Sequence, residues 1–405
     1  MIREYLMSID HRRLGRDLEL FASARLVGAG LPIWLPAGAA ARHAVEEFVR
    51  EEERRAGYLH VYSPPLAHRE MYERSGHLAK FGDDMFAPIP DGEDELVLRP
   101  SICPHHCAVF AARGRSYRDL PLRVAEMGQM YRAERSGVLS GLSRVRAISL
   151  NDSHNFCALE QVGGEVRLVL DLMARVHAAL GFAPAGFRLS LRGEGPSYIG
   201  EPADWDRAES MLRAALVGAG VAFVEAPGEA AFYGPKIDVQ IVDAAGREWS
   251  LATVQVDFQQ PARFDLSYVD AGGCRRRPVM VHRSLVGSME RLFGHLIEVH
   301  RGAFPAWYAP VQVAVLPVRE EQSAAAASFA RSCVAAGLRA QAVVEGSLGA
   351  RIRDAKHVPW LAVVGAREAA SGEVSLRARD GGQHPSRPVG DALGYLVDAC
   401  APPVA

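Results

Sequence analysis

The sequence predicts two parts: an α+β domain on a largely antiparallel sheet with flanking helices, then a small C-terminal α/β domain. Three observations carry this. Residues 122–133 and 144–157 are strand-like runs joined by a loop containing Gly137 and Gly141, which reads as a long antiparallel hairpin. Strand-like runs return at 186–192, 221–225, 236–243 and 248–258, interrupted by helices without regular βαβ alternation. Beyond Phe304–Pro310 the order changes to strand–helix–strand–helix with short connections. A chain of 405 residues fits two or three domains at roughly 150 residues each.

Residues 39–57 are helix-rich, and Gly57 stops that helix before the strand Tyr58–Ser63, which Pro64 and Pro65 end. Residues 160–181 form a helix with Val162, Val166, Leu170 and Met173 among its apolar positions. A helix is expected over Ser284–His300, with Leu285, Met289, Leu292, Phe293, Leu296 and Ile297 as its buried stripe. FPAWYAP (304–310) carries two prolines and reads as a linker, so the division falls at 1–305 and 306–405. After it come a buried strand at 311–318, an Ala-rich helix at 319–336 stopped by Gly337, and a second strand holding Val343 and Val344. A short helix, the strands Trp360–Gly365 and 373–379, and a closing helix near 389–400 complete the domain. Its strands are expected parallel, with right-handed crossovers.

Composition narrows the class. Hydrophobic content of 49% with 23% charge is that of a globular enzyme rather than a disordered or fibrous chain. A net charge of −2 gives no global basic field for nucleic acid, and Arg12–Arg13 and Arg275–Arg277 alone read as solvated surface. The N-terminus is charged and has no apolar signal-like region, and no run reaches the ~18 apolar residues of a membrane span. Six scattered cysteines make no disulfide framework, so a reducing cytoplasm is expected.

The chemistry starts with the hairpin. Counting by two places Arg144, Arg146, Ile148, Leu150, Asp152 and His154 on one face, while Arg132 and Glu134 share a face of the first strand. Arginines, an acid and a histidine among apolar residues suit a concave site for a phosphate-bearing ligand. A solitary arginine more commonly serves a surface ion pair, and Arg291 in GSMER is one more candidate for terminal phosphates. No phosphate-binding glycine loop offers an alternative cradle. Cys103-Pro-His-His-Cys107 suggests zinc, but four ligands in five residues cannot wrap one tetrahedral ion. The bland reading is one functional residue among buried neighbours. His154 and His282 alone read as satisfied core histidines. A Cys–His–His zinc site is chemically sensible, yet spacings of 51 and 128 residues leave it open.

A family resemblance runs nearly end to end: MYERSGH (71–77), LRPSICPHH (98–106), YRDLPLRVAEMGQMYRAERSG (117–137), GLSRVRAISLNDSHNFC (141–157), AFYGPKIDVQI (231–241), TVQVDF (253–258), PVMVHRSLVGSMERLFG (278–294) and FPAWYAPVQV (304–313). The chain resembles class II aminoacyl-tRNA synthetases, and among them the threonyl type. The resemblance implies a class II antiparallel catalytic domain with a C-terminal anticodon-binding domain. It implies motif 1 with Pro64 at a homodimer interface, motif 2 with Arg132 and Glu134, and motif 3 with Arg291. Arg132 and Arg291 would be catalytic; Asp152, Tyr233, Gln255, Glu134, Arg144 and Ser288 would hold substrate. Cys103, His154 and His282 would bind one Zn²⁺, and Mg²⁺ would accompany ATP. Glu368 and Arg377 fall on positions that touch the tRNA anticodon. The implied reaction is ATP-dependent formation of threonyl-adenylate and transfer to tRNA(Thr). The chain begins at the catalytic core, so it is expected to mischarge serine without correcting the error in cis.

Departures accompany the matches. Ser101 and Ile102 stand where Met and Asn are usual, Leu150 and Ser250 where Gln is common, and Asn151 for the first of two adjacent acids. Residues 343–359 are short and lack an expected Arg and Lys; Glu345 replaces an Asn and His357 an Arg. Lost base contacts at ~1–3 kcal/mol each would weaken tRNA recognition. A paralogue that adenylates threonine or a relative and passes it to a non-tRNA acceptor is therefore the alternative, and a non-catalytic RNA-binding paralogue a third.

Overall fold

In the computed structural model, residues 10–194 and 198–403 are described. Their largest sheet has eight strands in the order Phe223–Pro227, Gly186–Leu191, Lys236–Val242, Glu248–Asp257, Val279–Ser284, Ala147–Cys157, Leu122–Tyr131 and Leu59–His60. The six central strands pair antiparallel, and only the two edge pairings are parallel. The expected hairpin is its spine: Leu122–Tyr131 faces Ala147–Cys157 over ten registered pairs. The helices Pro36–Arg55, Val162–Leu180, Pro202–Gly218 and Met289–His300 contribute Val45, Val166, Leu212 and Leu292 to one continuous apolar core with the sheet.

Three expectations shift. The stripe at 284–300 is split: Val279–Ser284 is a strand, and the helix starts at Met289. Gly287 takes φ +65°, where an added Cβ would meet the Leu251 carbonyl oxygen at 2.1 Å, and Ser288 caps the helix by accepting from the Arg291 amide. Leu285 is buried, but from the turn rather than from the helix. The strand expected at 58–63 shrinks to Leu59–His60. FPAWYAP is not a solvated linker: Phe304, Trp307 and Tyr308 are buried in the first core, and Trp307 packs on Phe48.

The C-terminal part has its own core around a five-stranded sheet. Val313–Pro317 pairs parallel with Ala340–Ala342 and Trp360–Val364, as expected. Val343 and Val344 lie just past the second strand. Glu373–Ala378 and the unforeseen Gln383–Pro388 add antiparallel, so the sheet is mixed.

A buried polar cluster pins the helix Pro36–Arg55 to the sheet. Arg283, 1% exposed, donates to Glu53 at 2.6 Å and lies over the Tyr58 ring. Asn151 donates to the same Glu53 oxygen at 2.8 Å, while its own carbonyl oxygen accepts from Arg283 and from the Leu285 amide. This explains Asn where an acid is usual: a carboxylate there would face Glu53 across a hydrogen-bond distance. Desolvation pushes Glu53 up, but Arg283, His60 and Asn151 outweigh it and hold it below its ordinary 4.5. Its contribution is therefore complete above pH 4.5 and is lost as pH falls below that.

Glu53→Ala should cost about 3–5 kcal/mol at pH 7 in denaturant unfolding, because Arg283 loses its counter-charge. Asn151→Asp should destabilise more at pH 8 than at pH 5. A second carboxylate beside Glu53 has its folded pKa raised, so acid relieves the repulsion. Equal loss at both pH values would contradict this account.

Candidate active site

One face of the sheet carries a cavity of about 310 Å³. Three side chains from separate elements meet at its inner end. Cys103 opens the helix Cys103–Ala111, and His154 and His282 stand opposite each other on adjacent antiparallel strands. Their ligand atoms all lie within 4.8 Å of one another, with His154 Nε2 to His282 Nδ1 at 3.0 Å. Tetrahedral zinc with Zn–N of about 2.0–2.1 Å needs roughly this spacing. His282 Nε2 meets Asp257 Oδ2 at 2.8 Å, the carboxylate partner that metal-bound histidines commonly have. The set fits zinc, with two imidazoles and one thiol facing a cavity that can supply a fourth position.

The local sequence explains why CPHHC yields one ligand. On the helix, Cys107 turns into an apolar cluster with Phe110 and Phe156, and His106 turns behind His154 rather than to the cavity. His105 is buried and is not among the converging ligands.

Around this corner the cavity is lined by Asp152, Tyr233, Gln255, Ser288 and Arg291, with Ile148 and Leu150 on its apolar side. The Tyr233 hydroxyl donates to Gln255 at 2.7 Å, and its ring stacks on His282. Asp152 accepts from the Ser153 amide, and desolvation pushes its carboxyl up.

The outer end is cationic. Arg132 continues from its strand into the cleft, is reached by solvent, and lines both this cavity and a neighbouring one of about 250 Å³. Arg144 pairs with Glu134 at 2.9 Å beside it. Arg291 is fixed by the carbonyls of Ser143 and Ser250 and lies over Trp249. Desolvation, then the charges of Arg132 and Arg144, pull Arg291 down to about 10. Three guanidiniums repelling one another across a cleft have room for a polyanion.

The structure thus gathers eleven of the expected residues. Cys103, Arg132, Asp152, Tyr233, Gln255, His282, Ser288 and Arg291 line the first cavity, His154 lies buried just beneath its corner, and Glu134 and Arg144 line the second. Arg146, counted on the same strand face, instead ties the hairpin loop to the Glu134 carbonyl. Among the departures, Leu150 and Ser250 line the cavity, Ser101 Oγ lies 2.7 Å from Cys103 Sγ, and Ile102 is buried. Glu368 and Arg377 lie in the C-terminal part. The Glu368 carboxylate is already engaged by the Gly365 amide, Ser375 and Arg367, and Arg377 sits opposite Leu361 and Gln383.

Residue-by-residue reading missed His77 and Lys236. His77 lines the second cavity, and desolvation, then Arg132, hold it down at about 3, so it is a neutral imidazole. Its signal was the MYERSGH match. Lys236 projects into the first cavity from the strand beside Gln255, paired with Asp238.

Without metal, the triad corner holds a proton. Burial drives His282 down, but Asp257 and Cys103 outweigh it and lift the imidazole to about 10. A metal must displace that proton, so zinc affinity should rise with pH up to about 10 and fall in acid. Competition against a chelator at pH 6, 7 and 8 checks this; a flat profile contradicts it. Cys103→Ser should leave zinc well below one per chain by elemental analysis.

Comparison with known proteins gives the family of the chain. The family described as tRNA synthetase class II core domain (G, H, P, S and T) matches residues 86–300, and an anticodon binding domain family matches 312–398. The threonine–tRNA ligase of Levilactobacillus brevis is 47% identical over 91% of this chain and 58% of its own length. That of Thermus thermophilus is 45% identical over 96% and 61%. The chain therefore spans about 60% of the length of the curated relatives it matches. A crystal structure titled as the RNA binding domain of threonyl-tRNA synthetase from Cryptosporidium parvum Iowa II superposes with a TM-score of 0.90. Its identity is 34%, covering 97% of this chain and 98% of that one. The chain belongs to the class II aminoacyl-tRNA synthetase family, in its threonyl-tRNA synthetase group.

Proposed function

We propose that the chain activates L-threonine with ATP and transfers it to tRNA(Thr). The carrying observation is one cavity with a Cys103–His154–His282 corner at one end and the guanidiniums of Arg132 and Arg291 at the other. Cys103, His154 and His282 would hold a zinc ion, which would supply a Lewis-acid site for the amino and hydroxyl groups of threonine. Asp152 accepts a hydrogen bond from the substrate hydroxyl, and Tyr233 and Gln255 close around the amino group. The threonine carboxylate then points at Arg132, which holds the α-phosphate for in-line attack as pyrophosphate leaves toward Arg291. Mg²⁺ would accompany the ATP phosphates, and Glu134 and Arg144 order the nucleotide end. The terminal ribose hydroxyl of tRNA next takes the acyl group, with Glu368 and Arg377 on the anticodon side. Catalysis here is positioning and electrostatics, with no covalent enzyme intermediate.

The work divides between residues 1–305 and 306–405, in a cytoplasmic homodimer. The sheet edge beside Pro64 supports the dimer, since Leu59 and Tyr62 are 59% and 86% exposed there. Light scattering should give twice the chain mass of 43.9 kDa. No helix among the described residues is long and apolar enough to cross a membrane.

Amino-acid-dependent ATP–pyrophosphate exchange tests the reading. Threonine should support exchange, serine roughly 10–200-fold less, and valine far less, because valine leaves Asp152 unpaired. Arg132→Ala and Arg291→Ala should each lower exchange by about 10²–10³-fold. Exchange without charging of tRNA would point to a different acceptor, and no exchange at all would remove the proposal.

A further inference from the structure

Behind His154 lies a polar chain that the reaction does not use. His106 Nδ1 sits 2.7 Å from His154 Nδ1, with the rings nearly perpendicular. His106 Nε2 lies 3.3 Å from Glu126 Oε2. Glu126 accepts from the Ser63 hydroxyl at 2.6 Å and from Arg99 at 3.0 Å, and Arg99 also donates to Ser63. His154 and His106 are fully buried, Glu126 is 4% exposed and Arg99 1%.

The protons along this chain are fixed by elimination. Two Nδ1 atoms at 2.7 Å must share one hydrogen. His154 presents Nε2 to the triad corner and needs its lone pair there, so its hydrogen is on Nδ1 and is donated to His106. His106 then has its own lone pair on Nδ1 and its hydrogen on Nε2, which donates to Glu126. Arg99 and Ser63 keep Glu126 an acceptor. If His106 took the other tautomer, its Nδ1–H would demand the Nδ1 lone pair of His154 and push the His154 hydrogen onto Nε2, into the metal's place.

We propose that His106 and Glu126 are positioning residues whose hydrogen-bond relay locks His154 in the tautomer that can bind metal. The two histidines of the corner are thus oriented differently: His282 by Asp257 directly, and His154 by a carboxylate acting through a second imidazole. The relay also ends on Ser63, next to Pro64, so the metal corner is tied to the segment assigned above to the dimer contact. Gly128 makes room for it, since an added Cβ would lie 2.6 Å from Arg99 and 2.9 Å from Glu126.

The inference rests on the triad's holding metal, so zinc binding by the unaltered chain is measured first, by competition against a chelator. No binding there would sink the zinc reading itself. Given binding, His106→Leu should weaken zinc affinity about 10–100-fold. His106→Asn, whose amide oxygen can still accept from His154 Nδ1, should recover most of the loss. Equal affinity of His106→Leu and the unaltered chain would overturn the relay, as would equal losses in the two variants. Nitrogen-15 NMR of the metal-free, unaltered protein tests the tautomer without any variant: His154 should appear as Nδ1–H, and an Nε2–H signal would overturn the proposal.

Discussion

One row of cross-strand partners sets the rest of the site. Val124 faces His154, His154 faces His282, His282 faces Gln255, and Gln255 faces Lys236, across five neighbouring strands. Residues far apart in the chain meet because the antiparallel register brings them level, and side chains in a row share a face of the sheet. A one-residue slip of any central strand would turn its member of the row away. The long hairpin protects against such a slip, because its ten pairs couple the row to an apolar core on the other face.

Holding that row costs polar burial, and two of the buried charges beside it have a counter-group. Glu53 neutralises Arg283 beneath the sheet, and Glu126 neutralises Arg99 behind the metal corner. Such pairs add little net stability, but removing one partner strands a charge in a low-dielectric interior. They fix conformation more than they add free energy. The same logic accounts for Asn151: with one carboxylate already serving Arg283, an amide that both donates to Glu53 and accepts from Arg283 completes the cluster without a second negative charge.

The hairpin, the helices of the first core and the α/β character of the C-terminal part were legible because period-two and period-3.6 patterns survive in the sequence. The helix at 289 was misplaced to 284 because the apolar residues of a buried strand end and of a helix run on without a break. Only a glycine with positive φ and a serine cap divide them. The triad could not be read by spacing, since Cys103, His154 and His282 are joined by sheet register and not by local geometry; family resemblance supplied it. His106 was invisible for the opposite reason. It sits next to obvious candidates, and only the direction of the helix shows that it backs His154 rather than facing the cavity.

The two ends of the cavity are electrostatically unlike, so each suits a different chemical group. At the outer end burial, and after it the charges of Arg132 and Arg144, depress Arg291, so a polyphosphate gains by relieving the part due to repulsion. At the inner end the corner is lined by neutral or protonated imidazoles with Asp152, whose charge is disfavoured by burial until a hydroxyl, ammonium or metal arrives. Neither end is satisfied by the ligand of the other: a phosphate gains nothing from Asp152, and an amino group gains nothing among guanidiniums. Under the proposed reading, a molecule that joins an amino acid to a phosphate would satisfy both at once, and the negative charge redistributed over the phosphate as it forms would lie within reach of Arg132. On that reading the cavity would be more complementary to the mixed anhydride and the path to it than to either reactant alone.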